Sequence, residues 1–113
     1  MSNDRKLLEL AAKAAGINIE QGYGDPPENC LFYQDSAGDC HDWNPLIDDG
    51  DAFRLTVQLN LMVDTINKGY MSGCIVAAAA DHCPQYQQIN DDPYAATRRA
   101  IVRAAAEIGR GMP

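Results

Sequence analysis

The chain has 113 residues, 46 % of them hydrophobic and 22 % charged, so it carries enough apolar surface to fold and too little length for a second domain. Nine basic residues against sixteen acidic ones leave a formal charge of −7, which argues against generic nucleic-acid binding, because that requires many Lys and Arg to displace counterions. One domain over residues 1–113 is expected, with any site on so small a body shallow or shared between molecules.

The first predicted element is a helix beginning at Ser2 or Asn3, both competent N-caps, with Leu7, Leu8, Ala11, Ala14 and Ala15 on one face. Gly16 supplies its left-handed C′ position. Residues 17–20 alternate apolar with polar as a half-buried strand does, and the Gly22-Tyr23-Gly24-Asp25-Pro26-Pro27 segment ends it. Residues 31–34 and 40–43 are expected to pair as a hairpin across a turn at 36–39.

A second helix is expected to start at Asp48 or Asp49, where an acid caps exposed amides and meets the positive end of the dipole. Its core face is Ala52, Leu55 and Leu59, with Phe53 and Val57 on an adjoining flank and Asn60 as the stop. Strands follow at 61–66 and 74–80, joined by a turn at 67–70, and the segment 83–89, which contains Pro84, reads as an edge strand or a loop. The last helix opens on Asp91-Asp92-Pro93, an acidic cap followed by proline at the first helical position, and is expected to end at Gly109. At 100° per residue, Tyr94, Ile101, Ala104, Ala105 and Ile108 lie on one side, and Arg99, Arg103 and Arg110 lie within about 40° of one another on the other. The predicted class is α+β, a small antiparallel sheet with three helices packed on one face, in the order α-β-β-β-α-β-β-α.

No apolar run approaches the roughly 18 residues that cross a bilayer, and Glu9 and Lys13 interrupt the stretch after Arg5 and Lys6, so neither membrane insertion nor export is expected. The chain reads as cytoplasmic, with Cys30, Cys40, Cys74 and Cys83 as reduced thiols.

Charge is unevenly distributed. Between Asp25 and Asp51 there are eight acids and no Lys or Arg, whereas residues 93–113 hold four arginines and one glutamate. Solvated loop and helix faces are the ordinary explanation. The functional alternative is a charge-polarised surface whose candidate residues are Arg99, Arg103 and Arg110, with Tyr94 beside them, and Asp48, Asp49 and Asp51 at the other pole. Trp43, the sole tryptophan, is either an exposed aromatic anchor or a core residue.

Metal and catalytic readings are weaker. With Gly50 at the sixth position of a calcium loop, Pro45 and Thr56 fall where the first and last carboxylates belong. The Cys40-His41 and His82-Cys83 pairs suggest zinc, yet neighbours on a strand point to opposite faces, so four ligands would have to come from four segments. A Cys40–His82 dyad has no visible oxyanion loop or orienting third residue. Gly22-Tyr23-Gly24 lacks the third glycine of a dinucleotide fingerprint. No metal or cofactor is expected.

Two tracts, Trp43-Asn44-Pro45-Leu46-Ile47-Asp48-Asp49-Gly50-Asp51-Ala52 and Asp92-Pro93-Tyr94-Ala95-Ala96-Thr97-Arg98-Arg99-Ala100-Ile101-Val102-Arg103, resemble short proteins of phages and prophages of Gram-negative bacteria, and more distantly the phage NinX-type proteins. The resemblance covers about a third of the chain and implies a cytoplasmic accessory protein of a bacterial host, with no catalytic residue to carry over. The leading expectation is a non-enzymatic module, a homodimer or higher oligomer, that binds a host or phage protein through its polarised surface. A second is an oligomer that sequesters an anionic small ligand such as a nucleotide through Arg99, Arg103 and Tyr94. A third is a metal-dependent hydrolase built on His41, Asp42 and the acids from Asp48 to Asp51.

Overall fold

A computed structural model describes residues 3–24, 30–66, 74–78, 84–89 and 92–113. Helix α1 runs Asn3–Ala15, strands β1, β2 and β3 are Glu20–Gln21, Leu31–Gln34 and Cys40–Asp42, and helix α2 is Asp49–Gln58. Strands β4, β5 and β6 are Met62–Ile66, Cys74–Ala78 and Gln85–Gln88, and helix α3 is Pro93–Arg110. The class is α+β in the order expected, with the segment around Pro84 resolved in favour of a strand. The antiparallel pairing is divided between two three-stranded sheets, β1-β2-β3 and β4-β5-β6. The turn expected at 67–70 lies outside the described residues.

The helix ends follow from local chemistry. At the end of α1 Gly16 takes φ 72°, its amide bonds to Lys13 O at 3.2 Å and that of Ile17 to Ala12 O at 2.9 Å, the paired bonds of a Schellman cap. Helix α2 ends the same way on Asn60, at φ 55°, with the Leu61 amide on Thr56 O at 2.9 Å. Asp48 caps α2 through the Asp51 amide, and Asp92 caps α3 through the amides of Tyr94 and Ala95. Ile17, drawn into the first of these caps, is not in a strand; only Glu20 and Gln21 pair with β2. The β2–β3 hairpin closes as expected, with Gly38 at φ 91° and the Asp35 carboxylate accepting the amides of Ala37 and Asp39 at 2.9 Å each.

Helix α3 is the centre of the molecule. It packs against α1, α2, β5 and β6, and Ala96, Ala100, Ile101, Val102, Ala104, Ala105 and Ala106 are all buried, as expected for a helix enclosed on most sides. Helices α1 and α3 run parallel, since Asp4 meets Arg99 near their starts and Lys13 donates to Met112 O beyond the end of α3. Alanine facing alanine lets the two backbones approach closely. Gly109, expected to terminate α3, lies inside it: a Cβ there would sit 2.0 Å from Leu10 O, so the residue is glycine because α1 presses on it, and Gly111 is the cap. Leu8, Leu31, Trp43, Leu55 and Leu61 complete one contiguous core with these residues.

Candidate functional site

The residues singled out in the sequence fall into three places. Arg99, Arg103 and Arg110 line one cleft of about 450 Å³, together with Lys6 and Leu7 of α1 and Gln87 of β6. Tyr94 and Asp49 belong to a second groove of about 520 Å³ between α2 and α3, floored by Val63 and Thr65 of β4. Trp43, Asp48 and Asp51 surround a third depression with Arg54.

The third is structural. Trp43 is 3 % exposed and Asp51 6 %, so neither presents a surface to a visitor, and Trp43 is the core residue of the two alternatives. One oxygen of Asp51 accepts the buried Asn44 amide at 2.9 Å and the other takes Arg54 Nη2 at 2.7 Å; this bond holds the Arg54 guanidinium above its ordinary pKa. Asn44 Oδ1 accepts the Leu46 amide at 2.9 Å. The acids of this tract therefore organise the turn that leads into α2.

The positive pole is largely engaged by the chain's own acceptors. Arg98 donates through Nη1 to Asp49 at 2.6 Å and through Nε to Leu46 O at 2.9 Å. Arg99 Nη2 reaches both oxygens of Asp4 at 3.1 and 3.2 Å, and Arg110 pairs with Glu107. Arg103 donates to two neutral acceptors, Tyr86 O at 2.9 Å and Gln87 Oε1 at 3.1 Å. Charge segregation alone thus loses much of its force as a recognition device.

The α2–α3 groove was not visible as such in the sequence. Phe53, expected on the flank of α2, is 67 % exposed on one rim, and Tyr94, expected on the packed side of α3, is 71 % exposed on the other. Tyr94 lies in the first turn of α3, ahead of the buried run that begins at Ala96. Val57 and Met62 add exposed apolar surface on α2 and β4. The ion pair Arg98–Asp49 lies among the residues lining it, with Asp49 75 % exposed and Arg98 only 16 %.

Among the described residues no group of three His, Cys, Asp or Glu is placed to hold a metal ion. His41 is bonded to Asp35 at 2.7 Å and stacks on Tyr33 with ring centroids 5.2 Å apart, so it is turned into the hairpin. Among the described residues Cys30 and Cys40 form no disulfide. His82 and Cys83 lie outside the described residues, and with them the suggested pairing with Cys40 and His41. No described helix is long and apolar enough to cross a membrane. No family model, curated protein or solved structure matches the chain.

Proposed function

We propose that this chain is a non-enzymatic binding protein that engages a partner protein through the groove between α2 and α3. The observation that supports the reading is the pair of exposed aromatic side chains, Phe53 and Tyr94, on an apolar cleft that Val63 and Ile101 also line. Large exposed apolar residues gathered around a concavity are the usual mark of an interaction site, and rigid aromatic side chains contribute contact area at low entropic cost. The partner's chemistry follows from charge. Asp49, 75 % exposed with one oxygen on Arg98, lines the groove, on a chain of net −7. An amphipathic helix with apolar anchors and flanking Lys or Arg is complementary to this groove. A second copy would bring the same acids and the same net charge against it. The resemblance of residues 43–52 and 92–103 to phage proteins suggests the cytoplasm of a bacterial host as the setting.

The test is a fluorescence-anisotropy titration with a synthetic helix carrying Leu at i, i+3, i+4 and i+7 and Lys elsewhere, against a counterpart with Glu for Lys. The Lys helix is expected to bind, and at least tenfold more weakly to Phe53→Asp and Tyr94→Asp, whereas the Glu helix does not bind. Equal binding to wild type and both variants refutes the groove as the site. A dimer in light scattering that Phe53→Asp dissociates assigns the groove to a second copy instead.

A further inference from the structure

We infer that the cleft between the amino-terminal half of α1, the arginine face of α3 and β6 is a binding site for a small organic phosphate, independent of the α2–α3 groove. Arg99, Arg103, Arg110 and Lys6 line it. Among the described residues the carboxylates bound to them are Asp4 and Glu107, an excess of two positive charges in the cleft, which a phosphate monoester of charge about −1.5 to −2 at pH 7 neutralises.

The internal bonds orient these cations without exhausting them. Arg99 makes its contacts to Asp4 through Nη2 alone, Arg103 makes both of its contacts through Nη1 alone, and Arg110 reaches Glu107 through Nη1. Among the described residues the other two nitrogens of each guanidinium have no acceptor, and Lys6 Nζ has none. Gln87 gives its Oε1 to Arg103, which leaves the amide nitrogen as a further donor. The cleft therefore presents N–H donors held in place by packing and by their own neighbours, the arrangement that suits a ligand end made only of acceptors. Leu7 supplies an apolar wall for the organic part, and about 450 Å³ is room for a phosphate with a small body attached.

The phosphate must belong to a small molecule. A nucleic-acid strand would run past this cleft onto a surface that carries the chain's net negative charge, repelled wherever it passes beyond the ~8 Å over which the cleft's own field acts at physiological salt. Tyr94, expected beside these arginines, opens on the other groove, and none of the described residues lining the cleft is aromatic. Recognition rests on the phosphate.

Calorimetric titration at low salt with inorganic phosphate, adenosine 5′-monophosphate and adenosine tests this. Phosphate or the monophosphate should bind one per chain, adenosine should not, and Lys6→Gln and Arg103→Gln should each weaken binding at least tenfold. Tighter binding of the monophosphate than of inorganic phosphate identifies an organic ligand whose body rests on Leu7; equal binding, with the free ion sufficient, overturns the organic ligand. No binding of either anion, or binding that both variants leave unchanged, overturns the site. Lys6 is exposed and bonded to nothing described, so Lys6→Gln keeps the wild-type melting temperature and isolates the binding effect from folding. Binding of the Lys helix at the α2–α3 groove should be the same in both variants.

Discussion

Gly109→Ala probes the closest approach in the molecule. The added methyl would lie 2.0 Å from Leu10 O, 2.8 Å from Leu10 C and 3.3 Å from Leu10 Cα. All three are backbone atoms in the middle of α1, so no side-chain rotation relieves the overlap. Relief requires α1 to move bodily outward by more than 1 Å relative to α3 if ordinary contact of about 3.4 Å is to be restored. That shift loosens the buried alanines Ala11, Ala12, Ala104 and Ala105, which have no flexible atoms to refill the gap. Overpacking of this kind costs typically 1–3 kcal/mol and occasionally more, against which the better helix propensity of alanine returns about 1 kcal/mol. A backbone overlap at 2.0 Å belongs at the upper end of that cost, so the net expectation is destabilisation of about 2 kcal/mol or more, seen as a lower midpoint in urea with little change in slope. Gly111→Ala is the control. Its Cβ would meet nothing nearer than 3.7 Å and its backbone is already right-handed at φ −84°, so it should be neutral or slightly stabilising. A Gly109→Ala protein as stable as wild type would refute the parallel contact of α1 with α3 at this level.

Two further outcomes follow from the turn and the hairpin. Asp51→Ala leaves the buried Asn44 amide without its 2.9 Å acceptor, a loss of about 1–3 kcal/mol measurable by urea unfolding, whereas Asp49→Ala, whose partner Arg98 keeps its bond to Leu46 O, should cost less than about 1 kcal/mol. In the hairpin, hydrogen bonds from His41 and from the Asp39 amide hold the Asp35 carboxyl below the ordinary 3.8. A carboxylate whose pKa is depressed by folding stabilises the fold above its unfolded value, and that contribution disappears as pH falls through the folded one. The amide shifts of Ala37 and Asp39 should therefore titrate with a midpoint below 3.8, and a midpoint at or above that value would show the Asp35 bonds are not formed in solution.

What could be read from the sequence is what depends on neighbours within a few positions. Asp48, Asp92, Gly16 and Asn60 act on amides or carbonyls no more than five residues away, so capping chemistry identifies them without a fold. The 100° spacing likewise brought Arg99, Arg103 and Arg110 to one cleft. Gly109 was misread as a terminator because its reason for being glycine, Leu10 O, lies 99 residues earlier in the chain. Lys6 was passed over for the same cause: nothing in α1 alone says that its flank faces the arginines of α3. Asp51 reads as a surface residue because an acidic tract looks solvated, and composition does not reveal that one carboxylate in it is consumed by a buried amide; the same composition leaves Trp43 open between anchor and core. Strand pairing is also long-range, which is why the division into two sheets was not legible.

Carboxylate pairing along α3 raises the question whether its arginines are structural or functional, and the geometry separates them. Arg98 is 16 % exposed and bonded through two different nitrogens, to the Leu46 carbonyl and to Asp49; its fork is closed around the start of α2, and it belongs to the scaffold. Arg99 is about a third exposed and Arg110 about half, and each meets its acid through a single nitrogen. Exposed pairs of this sort contribute little to stability, about 0–1 kcal/mol. What they do accomplish is to restrict two long side chains, as Tyr86 O and Gln87 restrict Arg103 between them, on one face of a helix that is itself immobilised by α1, α2 and the second sheet. Restricting rotamers before a ligand arrives lowers the ordering cost of binding by about 0.5–1.5 kcal/mol for each side chain. Internal carboxylates at this cleft are thus better understood as holding the guanidinium groups ready than as cancelling them.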